Sequence, residues 1–255
     1  MIWHMIDNWG AAAGRTVRSA VRNQPAPVTY GLIVLCCVAF LLSPASGLNP
    51  AYGTGDRLLA AQSDYFARWG VIPAQLLTGS PRAALTTVTA LFVHGSWLHL
   101  LGNMLFLYVF GAMVEERMGH LQFALFYLLS GCVALLGYAI AHAGSEQTLV
   151  GASGAISAVL GAFLYLFPSA RVTSVFPFLF FLPLRFPAWV VLPFWVALQW
   201  AAARQGSQGP GVAYLAHLVG FSAGFLYAWV RYRGRERGAR SASAQGRGRE
   251  TGGLE

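Results

Sequence analysis

The chain has 255 residues, of which 56% are AVILMFWYC and only 10% are charged, with 29 glycines and a net charge of +8. A soluble domain carries about 25% charged residues; so sparse a supply cannot coat a water-exposed globule, which excludes a soluble enzyme, a disordered chain and a disulfide-rich secreted domain. The composition is that of a polytopic membrane protein.

Residues 1–27 form a cytoplasmic N-terminal segment that places Ile2, Met5, Ile6, Trp9 and Ala13 on one helical face, which reads either as a short interfacial helix or as a frayed terminus. Six apolar stretches follow: Val28–Pro44, Trp97–Val114, Leu121–His142, Val150–Pro168, Pro187–Ala203 and Val212–Val230. Each approaches the ~20 residues that cross a ~30 Å hydrocarbon core. Residues 28–231 are therefore predicted to form an all-α membrane domain of six transmembrane helices. The first stretch reads as a signal anchor, because it is too long for the apolar region of a cleaved signal. Ala45–Ser96 mixes Gly, Pro and charge and reads as a long membrane-associated loop. Val172–Leu184 is apolar but short and holds Pro177 and Pro183, which predicts a bent interfacial connection. Residues 232–255, rich in Gly, Ser and Arg, predict a disordered cytoplasmic tail.

All 17 basic residues are arginine, and seven lie between Arg231 and Arg249. With six spans both termini share a side. Placing them in the cytoplasm puts 13 arginines inside and four outside, the bias that orients membrane proteins. Anionic lipid headgroups are the natural partners of these clusters, and no nucleic acid is expected. Cys36, Cys37 and Cys132 sit in apolar runs without paired spacing, so neither disulfides nor a metal are expected.

Polar groups inside a membrane are costly and mark function or helix pairing. Four stand out: His99, Asn103, Ser153 and His217. On the predicted topology all lie within roughly 5–10 Å of one depth below the outer surface, at 1.5 Å per residue. His99 and Asn103, four apart, share a helix face. Ser153 is wrapped by Gly151, Ala152, Gly154 and Ala155; Gly220 and Gly224, following His217, permit a close helix contact. A serine hydroxyl becomes a nucleophile when a neighbouring base takes its proton, and histidine is the usual base. Asn103, His99 and the open amides at the start of the Ser153 helix offer donors for an oxyanion. No acid lies inside a span to orient His217, which makes this a dyad; Glu146, in a loop, is not expected to join it. Taken singly, each residue has an ordinary structural reading, and His94, His120 and His142 at span edges are read so.

His94-Gly-Ser-Trp-Leu-His99-Leu-Leu-Gly-Asn103, Glu115-Glu116-Arg117, Gly151-Ala152-Ser153-Gly154-Ala155 and Ala216-His217-Leu-Val-Gly220 with Gly224, in that order, resemble the rhomboid family of intramembrane serine proteases. The resemblance implies a six-helix rhomboid-like bundle. It implies Ser153 as nucleophile, His217 as general base, and an oxyanion site of His99, Asn103 and the Ser153 backbone N–H. It assigns His94, Glu115, Arg117, Gly151, Gly154, Gly220 and Gly224 to structure and packing. The activity implied is cofactor-free cleavage of other proteins' transmembrane segments near the outer face of a bacterial-type plasma membrane. The alternative is a catalytically silent rhomboid-like scaffold that binds membrane proteins.

Overall fold

Pro27 opens the first helix, α1 (Pro27–Leu42), where a missing N–H costs little because first-turn donors have no partner within the helix. In the computed structural model, which describes residues 25–176, 182–204 and 213–250, two of those donors are claimed by a distant acid. The N–H groups of Val28 and Thr29 donate to Glu115 at 3.0 and 2.7 Å. The expected interfacial helix of residues 1–27 lies, but for its last residues, outside the described ones.

The segment after α1 is largely helical rather than an open loop. It holds α2 (Asp56–Trp69), the short α3 (Pro73–Leu76) and α4 (Pro81–Thr89). Ties to the rest of the molecule fix its course. Val71 exchanges backbone hydrogen bonds with Leu149, and the indole of Trp97 donates to the Ser46 carbonyl at 3.1 Å.

Next come α5 (Trp97–Met118) and α6 (His120–Ala141), separated by Gly119 at φ 86°, a left-handed conformation that glycine adopts without penalty. Both have 22 residues and are long and apolar enough to cross a membrane. A π-helical turn at Leu107–Gly111 lies within α5. The helix α7 (Ser153–Leu166) is buried without a break from Gly154 to Phe163. A helix apolar on all faces belongs at a core, and α7 is the axis around which α5, α6 and the last helix pack.

Arg171–Phe176 (β1) and Leu182–Pro187 (β2) pair antiparallel, Arg171 opposite Pro187 and Phe176 opposite Leu182. Among the described residues, this two-stranded ribbon stands where a bent connection is predicted and departs from an all-α fold. Alternating Val, Thr and Phe favour strand, and prolines are tolerated in a ribbon whose strands are both edges. It leads into α8 (Ala188–Arg204). The last helix, α9 (Tyr214–Glu250), continues through residues 232–250, where composition predicts disorder. No proline follows Pro210, and Arg and Ala are good helix formers that offset the poor helix propensity of Gly234, Gly238, Gly246 and Gly248.

Helix thus occupies each of the six apolar stretches; α1 and α7, with 16 and 14 residues, are the shorter ones. The outer surface is apolar: Leu98 on α5, Leu121 and Leu129 on α6, Trp189 and Phe194 on α8 and Val230 on α9 are all exposed.

Glu115 is fully buried, and its second interhelical partner is His120, whose Nδ1 lies 2.7 Å from Oε1. The nearby Arg117 guanidinium sits 5.3 Å above the Tyr232 ring of α9. This end of the bundle is therefore stapled by a carboxylate and a cation–π contact. The predicted catalytic residues gather at the other end.

Candidate active site

Ser96 begins the site. Its hydroxyl accepts from the His99 N–H at 3.2 Å and caps α5. The cap fixes the first turn, on which His99 stands, with Asn103 one turn on. The Gly95 N–H lies 3.4 Å from His99 Nδ1. Nδ1 therefore accepts, and the ring proton resides on Nε2. His94 is buried and its ring packs edge-on against His99, centroids 5.3 Å apart. Burial, reinforced by nearby His99, pushes the His94 imidazole down to about 4, so it is neutral. Its Nδ1 lies 3.3 Å from the Phe92 carbonyl, which only accepts.

The strand-like approach to α7 is held rigidly. Leu149 is bridged to Val71, and the Gly151 N–H donates to the Ala90 carbonyl at 2.8 Å. Gly151 adopts φ 121°, which L-residues rarely visit. A second constraint acts at the same position: a Cβ there would stand 2.7 Å from both Cε1 and Nε2 of His99 and 3.7 Å from Asn103 Nδ2. The donor atoms of His99 and Asn103 thus converge on the turn that precedes Ser153. Asn103 is buried, and its Nδ2 has no hydrogen-bond partner among the described residues. A buried amide without an acceptor costs roughly 1–3 kcal/mol, a cost that an acceptor entering this space would relieve.

Ser153 is the first residue of α7. No side-chain cap hydrogen bond is made at the start of this helix, so its first amides, that of Ser153 included, are unclaimed by a cap. The Ser157 hydroxyl donates to the Ser153 carbonyl at 2.7 Å and occupies the next turn.

Close main-chain approach brings α9 to α7. A Cβ on Gly220 would collide with the Gly154 carbonyl, one on Gly224 with the Ala158 carbonyl, and one on Gly161 with the Phe221 carbonyl. The helices therefore touch one residue after Ser153 and one turn after His217. Among the described residues, no hydrogen bond joins Ser153 Oγ to His217 Nε2; in substrate-free enzymes such bonds are often long and tighten once substrate is bound.

His217 has partners that the sequence reading does not include. Its Nδ1 lies 2.7 Å from Oε1 of Gln199 on α8. Trp195, also on α8, stacks on the imidazole with centroids 6.1 Å apart and ring planes 29° apart, and Tyr214 meets it edge-on at 6.4 Å. The signal for Gln199 is the one that marks Asn103: an amide inside an apolar stretch. Glu115 and Arg117 stand at the opposite end and take no part in the site. Among the described residues no His, Cys, Asp and Glu cluster suits a metal.

The Rhomboid domain family matches residues 81–234, which contain every element of this site. The chain is 34% identical over 149 residues to "Rhomboid protein 1, mitochondrial" of Saccharomyces cerevisiae, covering 57% of this chain and 41% of the yeast protein. It is 34% identical over 143 residues to "RHOMBOID-like protein 1" of Arabidopsis thaliana, covering 56% and 33%. With "Rhomboid-like protein 11, chloroplastic" of the same plant the identity is 43% over 70 residues, covering 27% and 24%. The chain spans about a quarter to two fifths of the length of these relatives. With a matched domain that covers more than half of its length, the chain belongs to the rhomboid family of membrane proteins.

Proposed function

We propose that the protein is an intramembrane serine endopeptidase. The observation that carries this reading is the convergence of His99 Nε2 and the unpartnered Asn103 Nδ2 on the Gly151 turn, beside the uncapped start of α7 where Ser153 stands. Three donors grouped beside a serine fit the oxyanion of an acyl transfer.

In this mechanism His217 Nε2 takes the Ser153 hydroxyl proton while Oγ attacks the scissile carbonyl carbon. The carbonyl π electrons move onto oxygen, which is met by His99 Nε2–H, Asn103 Nδ2–H and the Ser153 N–H. Collapse expels the new amine, which takes the proton from Nε2, and water repeats the cycle to release the acyl group. The substrates are transmembrane segments of other membrane proteins, admitted from lipid. Six spans carry the chain across a bacterial-type plasma membrane with both termini cytoplasmic, in line with the arginine bias. The 14 residues of α7 rise only about 21 Å, less than the hydrocarbon core, a length that leaves room for a site below the surface.

The test is cleavage of a model transmembrane substrate by the reconstituted chain, compared with Ser153→Ala. Cleavage that persists in the variant rejects the reading. A fluorophosphonate probe separates the enzyme from a silent scaffold, because only an activated serine is labelled.

A further inference from the structure

The serine–histidine pairs of hydrolases work when something holds the imidazole with its proton on the nitrogen remote from the serine. The Ser153 and His217 helices supply no acid for this. A contact from a third helix does the same work. Gln199 Oε1 lies 2.7 Å from His217 Nδ1. An amide oxygen has no proton to give, so Nδ1 is the donor and carries the ring hydrogen. The Nε2 lone pair is then free on the opposite edge of the ring.

We propose that Gln199 is a positioning residue for the proteolytic site: its amide oxygen holds His217 in the tautomer whose Nε2 can take the Ser153 proton, and Trp195 fixes the plane of the ring. The proposal rests on the protease reading above and makes the site a neutral triad, Ser153–His217–Gln199, with its third member on α8.

The geometry favours this over a packing role. Two independent contacts from α8, a 2.7 Å hydrogen bond and a ring stack, act on one imidazole four residues apart on the same helix face. One sets rotation about the ring normal and the other sets tilt. Trp195 also meets Phe221, one turn beyond His217, at 6.1 Å, which anchors α8 to α9 at this level. During the reaction Gln199 stays neutral and exchanges no proton. When Nε2 receives the serine proton, positive charge spreads over the ring, the Nδ1–H bond to Oε1 strengthens, and the amide dipole stabilises the imidazolium. When the leaving amine takes the proton from Nε2, the starting tautomer is restored. Among the described residues, the titratable side chain seen against the His217 ring is Tyr214 on its own helix, not a carboxylic acid that could replace the amide.

The experiment uses the full chain reconstituted with a model transmembrane substrate. Gln199→Leu keeps the length and suits a membrane helix while removing the acceptor. It lowers kcat by about 10- to 100-fold, part of the roughly 10²–10⁴ that a general base supplies, with KM within about twofold. Fluorophosphonate labelling of Ser153 slows in parallel, because the probe needs the base but not substrate docking. Gln199→Glu, which also accepts from Nδ1–H, recovers most of the loss. In protein labelled with ¹⁵N-histidine, the Nδ1–H signal of His217 gives way to a tautomer mixture in Gln199→Leu. Wild-type kcat and labelling in Gln199→Leu overturn the proposal, as does a Gln199→Glu variant that folds yet is no better than Leu, or an unchanged His217 tautomer. Ser153→Ala run alongside keeps the two readings apart: if it is inactive while Gln199→Leu is normal, only the positioning role fails, and if it still cleaves, the protease reading fails.

Discussion

Gly220 on α9 lies against the main-chain carbonyl of Gly154 on α7, with no room for a side chain between them. This contact sets the distance between the helix that carries Ser153 and the helix that carries His217. Gly220→Ala would force the helices apart. The expected cost is about 1–3 kcal/mol, as for other overpacked contacts, read as a lower unfolding midpoint in detergent. Turnover falls with it, because the shift separates nucleophile and base. An unchanged midpoint and rate would show that the helices are not set by this contact.

Asn103→Ala removes a buried amide whose Nδ2 has no hydrogen-bond partner among the described residues. Turnover is expected to fall by about 10²–10³-fold, the usual loss for one oxyanion donor, with the unfolding midpoint unchanged or slightly raised. Normal turnover would remove Asn103 from the oxyanion site.

Gly151→Ala meets two obstacles at once, a backbone at φ 121° and a Cβ 2.7 Å from the His99 ring. Backbone strain of this kind costs about 1–3 kcal/mol, and His99 must turn away from the site. Both stability and cleavage decline. Gly102→Ala is the control, since a Cβ there meets nothing within 4 Å and alanine is the better helix former. Equal behaviour of the two variants would count against a strained Gly151.

Glu115→Gln tests the far end of the bundle. Glu115 accepts from Val28, Thr29 and His120, and an amide turns one acceptor edge into a donor. A lost buried hydrogen bond of this kind lowers stability by about 1–3 kcal/mol, measured by thermal unfolding. The folded fraction keeps its Ser153 labelling rate, because Glu115 lies at the opposite end from the site. A slowed rate in folded protein would instead couple the two ends.

Several features are legible residue by residue. The apolar stretches stand out because about 20 residues without charge is a local property of the chain. His99, Asn103, Ser153 and His217 stand out because each breaks such a run. Other features are not legible. Glu115 is marked only by a motif, yet two of its three partners are backbone groups some 86 residues away. Gln199 breaks an apolar run as plainly as Asn103 does, but what it touches depends on how α8 is rotated against α9. The ribbon of β1 and β2 depends on the pairing of two separate segments, which proline content alone argues against. The helical course of residues 232–250 follows from propagation out of α9 rather than from their own composition.

The sequence by itself determined that this is a membrane protein, where its six apolar stretches run, which polar residues stand out from them and to which family it belongs. Those are properties of consecutive residues, read from hydropathy, spacing and motif. Only the tertiary structure decided that His99 and Asn103 aim at the Gly151 turn, that Glu115 caps α1, and that His217 is held by an amide on α8. The crossing and rotation of packed helices fix these relationships, and both are settled by main-chain contacts such as Gly220 on Gly154, between residues distant along the chain.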